Sequence, residues 1–158
     1  MAYQRYYDDI VDAQRGAPHK RILVVEGAAD VEFLDYMLDK EPYKSRNYHM
    51  QWIIAEAGGK ENCLKMIQRN EDWHALVDRD SWTDSDTEEM RRIYPTLHIL
   101  PRFCIENYMC HPRELFLALG RLQKTARSEQ NLARSLHPFV EDALRHGALW
   151  RAVQPLYN

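Results

Sequence analysis

"HALVDRDSW", His74 to Trp82, is the stretch on which the reading of this chain turns. A short, mostly apolar run stops at two carboxylates, Asp78 and Asp80, which is the pattern of a buried strand whose end carries acids. Side chains alternate across a strand, so these two share a face if the strand persists through Asp80. Two unit charges about 4 Å apart repel by roughly 4 kcal/mol at an effective dielectric near 20, and something must offset that. A divalent cation does so, because Mg²⁺ takes oxygen ligands and is often held by one or two carboxylates together with water and phosphate. The plain alternative is a turn with both acids solvated, or with Asp80 capping the next helix.

Outward from this stretch, strands alternate with helices. "KRILVVEG" reads as a buried strand stopped by Gly27, and "AADVEFLDYMLDK" sets Val31, Leu34, Met37 and Leu38 at helical spacing. "YHMQWIIAEA" is the second strand, and "GGKENCLKMIQRN" a Gly-Gly turn and a helix carrying Cys63, Leu64, Met66 and Ile67. After "WHALVD" as strand three, Ser85 precedes Glu88 by three residues, a capping-box spacing that starts a third helix. "TLHILPRF" is strand four. Such alternation predicts right-handed crossovers and an α/β fold with a mostly parallel, Rossmann-like four-stranded sheet flanked by helices. Residues 1–20 read as an N-terminal helix or arm, 21–110 as the α/β domain, and 111–158 as a helical extension packed on it.

The chain as a whole narrows the function classes. At 158 residues, 45% hydrophobic and 28% charged, it fits one soluble domain with a sizeable core. No apolar run is long enough to span a bilayer and the opening residues lack a signal-peptide core, which predicts a cytoplasmic protein without membrane contact. Cys63, Cys104 and Cys110 form no C-x-x-C pair, and the seven histidines lack metal-site spacing. From His111 onward seven Arg or Lys against four Asp or Glu give +3, leaving −6 for the rest of a chain whose formal net charge is −3. The basic residues crowd into "RLQKTARSEQNLAR", which suits a phosphate backbone or the solvated face of a helix.

Ligands of open α/β sheets bind beyond the carboxyl ends of the strands, and the acids fall there. Glu26 closes strand one, Asp78 and Asp80 close strand three, and Glu106 follows strand four. Asp30 lies one helical turn beyond Glu26. One acid at a strand end is commonplace, but coincidence at three strand ends is much less so.

Glu26-Gly27 after an apolar strand, then "GGKEN", then Asp78-x-Asp80 after another strand, resembles the TOPRIM domain of topoisomerases, bacterial primases and OLD-family nucleases. The likeness is to the OLD-type branch, in "VEGAAD", the Gly-Gly-Lys-x-Asn turn and "IENY", and it covers Arg21 to Met109. The resemblance implies that Glu26, Asp78 and Asp80 are catalytic Mg²⁺-binding acids (Mn²⁺ serving as well), that Asp30 and Glu106 complete the metal ligands, and that DNA or RNA is the substrate. It also implies a setting in phage defence or nucleic-acid processing. Many TOPRIM domains continue the DxD with a glycine, whereas "DRDSWTDSD" has none nearby. "GGKEN" is not a nucleotide-binding loop, so ATP hydrolysis would come from a separate ATPase chain.

Apart from any resemblance, two divalent ions about 3.5 to 4 Å apart supply what phosphodiester cleavage needs, and five acids suffice to hold them. Lys60, Arg79 and Lys124 are the candidate phosphate contacts, with Lys60 at a helix start as the plainer reading of that residue. A non-catalytic TOPRIM module that binds nucleic acid or a partner protein is the alternative, and a homo-oligomer is compatible with either. An aspartyl-phosphate phosphatase is disfavoured, because that chemistry places its D-x-D motif after the first strand and here it follows the third.

Overall fold

The computed structural model describes residues 2–102, 104, 128, 130–138, 141 and 145. Its chain divides into two compact units, Met1–Cys104 and Ile105–Asn158. In the first, the elements run α1 (Ala2–Gly16), β1 (Arg21–Val25), α2 (Ala28–Leu38), a 3₁₀ turn (Lys44–Arg46), α3 (Tyr48–Gln51), β2 (Trp52–Glu56), α4 (Lys60–Arg69), β3 (His74–Val77), α5 (Asp84–Ile93) and β4 (Leu97–Ile99). The four strands form one sheet in the order β2-β1-β3-β4, and every pairing is parallel. This is the α/β, Rossmann-like arrangement that the alternation predicts. In the second unit residues 130–138 are helical, and the Ser128 hydroxyl accepts from the Asn131 N–H at 3.2 Å. The remainder of the expected helical extension lies outside the described residues.

The period-two pattern of the strands separates two faces. Ile22 and Val24 of β1, Ala75 and Val77 of β3, and Leu97 and Ile99 of β4 are buried in one core with Cys63, Met66 and Ile67 of α4. Those α4 positions recur at helical spacing, which is why this short helix can hide a full stripe. The opposite face carries Leu23, Trp52 and Ile54, which line an open apolar groove with Leu34 and Leu38 of α2. No residue of α2 is buried, so this face is the thinner-walled of the two.

Helix α1 is part of the main core. Tyr7 and Ile10 are buried in it, and the Tyr7 ring stacks on Trp73 with centroids 5.5 Å apart. The Tyr7 hydroxyl donates to Asn70 Oδ1 at 3.2 Å and Trp73 Nε1 donates to Gln14 Oε1 at 3.3 Å, so the polar ends of both aromatics are satisfied.

Three local expectations are corrected. The second strand starts at Trp52, because β1 begins at Arg21 and Arg21 pairs with Trp52, leaving the residues before it without a partner. Tyr48–Gln51 instead make a helical turn entered through Asn47 at φ 54°. The third helix begins at Asp84, with Thr83 rather than Ser85 as its cap: Thr83 Oγ1 accepts from the Asp86 N–H at 3.2 Å while Asp86 Oδ2 accepts from the Thr83 N–H at 2.8 Å. Strand β3 ends at Val77, and Asp80 sits in a turn at φ 49°, so the period-two argument does not reach it.

If α1 completes the core, Ile10→Ala removes buried methylenes from a packed site and lowers the unfolding free energy by about 2–4 kcal/mol. Urea denaturation checks this; a loss below about 1 kcal/mol would make α1 a peripheral arm.

Candidate functional site

The chain leaves β1 to form β2 on one side and then crosses back to form β3 on the other. The crevice at such a switch point, beyond the carboxyl ends of the two diverging strands, is where open α/β sheets hold ligands. Glu26 and Asp78 are the first residues after β1 and β3, and they meet across it: Glu26 Oε1 accepts the Asp78 backbone N–H at 2.8 Å.

The β2–α4 turn closes the crevice from the far side. Gly58 and Gly59 take φ values of 75° and 120°, which side-chain-bearing residues rarely adopt. A Cβ on Gly58 would lie 2.4 Å from the Tyr6 ring. The Ala57 N–H donates to the Val25 carbonyl at 2.8 Å and the Gly59 N–H to the Glu26 carbonyl at 2.7 Å, so the turn is stitched to the end of β1. The Gly59 amide is thereby committed to the fold and does not cradle an anion. Asn62 Nδ2 donates back to the Ala57 carbonyl at 2.8 Å, which gives the Gly-Gly-Lys-x-Asn pattern its local meaning.

Lys60, the first residue of α4, is the cation of the rim. Its Nζ lies 2.5 Å from Asp80 Oδ2, 3.9 Å from Glu26 Oε1 and 4.5 Å from the centroid of the Trp82 ring. Burial raises the Glu26 pKa above its ordinary value; the Asp78 amide and Lys60 counteract this, and the charges of Asp80 and Asp30 add to it. Asp30 Oδ2 accepts the Gly27 N–H at 2.9 Å and so closes the first turn of α2. Beneath the rim, burial pushes the Cys63 thiol up to about 12, with the charges of Glu26 and Asp30 as further causes; this thiol is inert.

The expected site residues thus divide. Glu26, Asp30, Lys60, Asp78 and Asp80 belong to one rim. Arg79 turns away: its Nη2 donates to Asp84 Oδ1 at 2.6 Å and its Nε to the Trp82 carbonyl at 3.0 Å, bracing the turn before α5. Glu106 and Lys124 lie outside the described residues. Trp82, whose ring supports the Lys60 ammonium, has no role in the sequence-based site. An aromatic two residues after the second acid of a DxD was the signal for it.

All-oxygen donors suit a hard divalent cation. Their arrangement does not yet make its cage: among the described residues no group of three or more His, Cys, Asp or Glu is placed to hold a metal. Glu26 and Asp80 converge instead on an ammonium. No family model, curated protein or solved structure matches the chain, so fold and rim geometry carry the functional argument. No helix among the described residues is long and apolar enough to cross a membrane.

The raised Glu26 pKa has a sign. The folded state binds this proton more tightly than the unfolded state, so its contribution is fully present below the unfolded value of 4.5 and is lost as pH rises through the folded value. Glu26→Gln keeps an acceptor for the Asp78 amide and does not titrate. In EDTA its melting temperature should therefore gain on wild type as pH rises from about 4.5 toward neutrality. A constant difference across that range would show that burial does not penalise the Glu26 charge.

Proposed function

We propose that this chain is a TOPRIM-type nuclease, of the OLD-like branch, that cleaves phosphodiester bonds of DNA or RNA with Mg²⁺ or Mn²⁺. The observation that carries the reading is the convergence of Glu26, Asp78, Asp80 and Lys60 at the switch point of a parallel sheet. A divalent cation bound there would act as a Lewis acid and neutralise charge developing on the phosphate. The chain's own contribution is positional. Glu26 is half-buried and oriented by the Asp78 amide, so one of its oxygens is fixed while the carboxylate retains a second. Lys60 brings a positive charge to where a phosphate would enter, carried on a rigid helix start. Cytoplasmic nucleic-acid processing or phage defence, beside a separate ATPase chain, is the setting that the resemblance supports.

One observation favours a second reading. Lys60 already offsets part of the negative charge of Glu26 and Asp80 without a metal, and a rim of that kind serves a module that binds nucleic acid or a partner protein without cutting.

The test is cleavage of single- and double-stranded DNA and RNA in Mg²⁺ or Mn²⁺, with Asp78→Ala and Asp80→Ala alongside. Both acids follow the end of β3 and lie outside the core, so each variant should melt within a few degrees of wild type while cleavage falls to background. Wild-type rates in either variant would remove that acid from catalysis. Binding of nucleic acid without cleavage in either metal would establish the module.

A further inference from the structure

The face of the sheet opposite the main core carries a row of aromatic rings at the amino ends of its strands. Trp52, the first residue of β2, lines the apolar groove together with Tyr43 and Tyr48 from the connection between α2 and β2. The Tyr43 and Tyr48 ring centroids are 6.5 Å apart, and Tyr43 is 40% exposed. From Trp52 the row continues across the sheet: its ring meets His74 edge-on at 5.2 Å between centroids, and His74 stacks on His98 at 5.4 Å. Register accounts for this. Trp52 pairs with Arg21, His74 with Leu23 and His98 with Leu76, which sets all of them on one face.

Cations accompany the rings. The Arg21 guanidinium lies 5.6 Å from the Trp52 centroid, and Arg46 Nη1 donates to the Tyr48 hydroxyl at 3.3 Å. Over residues 19–21 and 39–52, Lys20, Arg21, Lys40, Lys44 and Arg46 stand against Asp39 and Glu41 alone, in a chain whose formal net charge is −3. One of these pairs is already closed, Lys44 with Asp39 at 3.0 Å. Burial, His98 and Arg21 hold the His74 pKa below its ordinary value, so at neutral pH its ring is uncharged and stacks as a flat aromatic.

We propose that this row is a stacking platform for single-stranded nucleic acid, separate from the acidic rim. The inference rests on nucleic acid being the partner, as above, and needs neither metal nor cleavage. Arg21, Trp52 and His74 begin β1, β2 and β3, whereas Glu26 and Asp78 follow the ends of β1 and β3, so the two surfaces lie at opposite ends of the strands. Bases of a single strand stack on aromatic faces while basic side chains follow its phosphates, and any base serves because every base has a π-face. A duplex stacks its bases on one another and offers none to the rings. An apolar partner would fill the groove but leave the cations unanswered. A polyanion that carries planar bases answers both.

The test is fluorescence anisotropy in EDTA with a labelled oligothymidylate of about twelve nucleotides and with a duplex of the same length. Wild type should bind the single strand more tightly than the duplex. Tyr43→Ala and Trp52→Leu should each weaken single-strand binding about tenfold, the equivalent of one lost base stack, and Tyr43→Phe should bind as wild type does. Tyr43 stands in an exposed connection, so its two variants keep the comparison even if Trp52→Leu fails to fold. Arg46→Ala should reduce the slope of log K against log salt by about 0.7, one phosphate contact on a single strand. Wild-type binding by Tyr43→Ala and by folded Trp52→Leu, or duplex binding as tight as single-strand binding, would overturn the platform and leave cleavage at the rim standing. Absence of oligothymidylate binding in wild type would overturn it as well, with the cleavage assay above deciding the rim separately. Self-association that Tyr43→Ala abolishes, without oligothymidylate binding, would overturn it in favour of a contact between copies of the chain.

Discussion

The hydrogen bond from the Asp78 backbone N–H to the Glu26 carboxylate spans the gap between β1 and β3 beyond their last paired residues. The site depends on it. The bond draws Glu26 inward, where burial penalises its charge, and it fixes which oxygen faces the crevice. The Gly59 N–H reaches the carbonyl of the same residue, so the β2–α4 turn is hung from Glu26 as well. Three strand ends are thereby referred to one residue. The position of Lys60 is a consequence, because the helix that carries it starts immediately after that turn.

Much of the fold is legible because it is encoded over short distances. The β-branched run "ILVV", the Gly-Gly turn and the apolar spacing of Cys63, Met66 and Ile67 each specify an element without reference to the rest. Errors appear where a neighbour decides. "YHMQ" is as good a strand as "WIIAE" until Arg21 is seen to pair with Trp52, which leaves the earlier residues with no ladder to join. Thr83 and Ser85 both stand three residues before an acid, and only the turn held by Arg79 and Asp84 selects Thr83. The first twenty residues read as a helix or arm, and the place of α1 in the core depends on Trp73 and Asn70, far along the chain.

The site divides in the same way. That acids gather at the strand ends follows from the rule for open sheets, once strands one and three are taken as neighbours. The charge that balances them does not follow. The doublet Asp78-x-Asp80 suggests carboxylates projecting side by side from a strand, with repulsion in need of a metal. In the structure the strand has already ended, Asp80 reaches the rim through a left-handed turn, and a lysine from another connection relieves the repulsion. A pairing across twenty residues of sequence has no local signature.

The embedding of α1 bears on the order in which the chain can fold during synthesis. Tyr7 and Ile10 are made well before Trp73, the residue whose ring Tyr7 stacks on. The central strand β1 likewise waits for β3 to cover its second edge. The apolar face of an amphipathic helix and an unpaired strand edge therefore stay exposed until β3 and the turn before it have been made. Long-range parallel pairing of this kind is intrinsically slow, and the surfaces that wait for it are the ones open to aggregation.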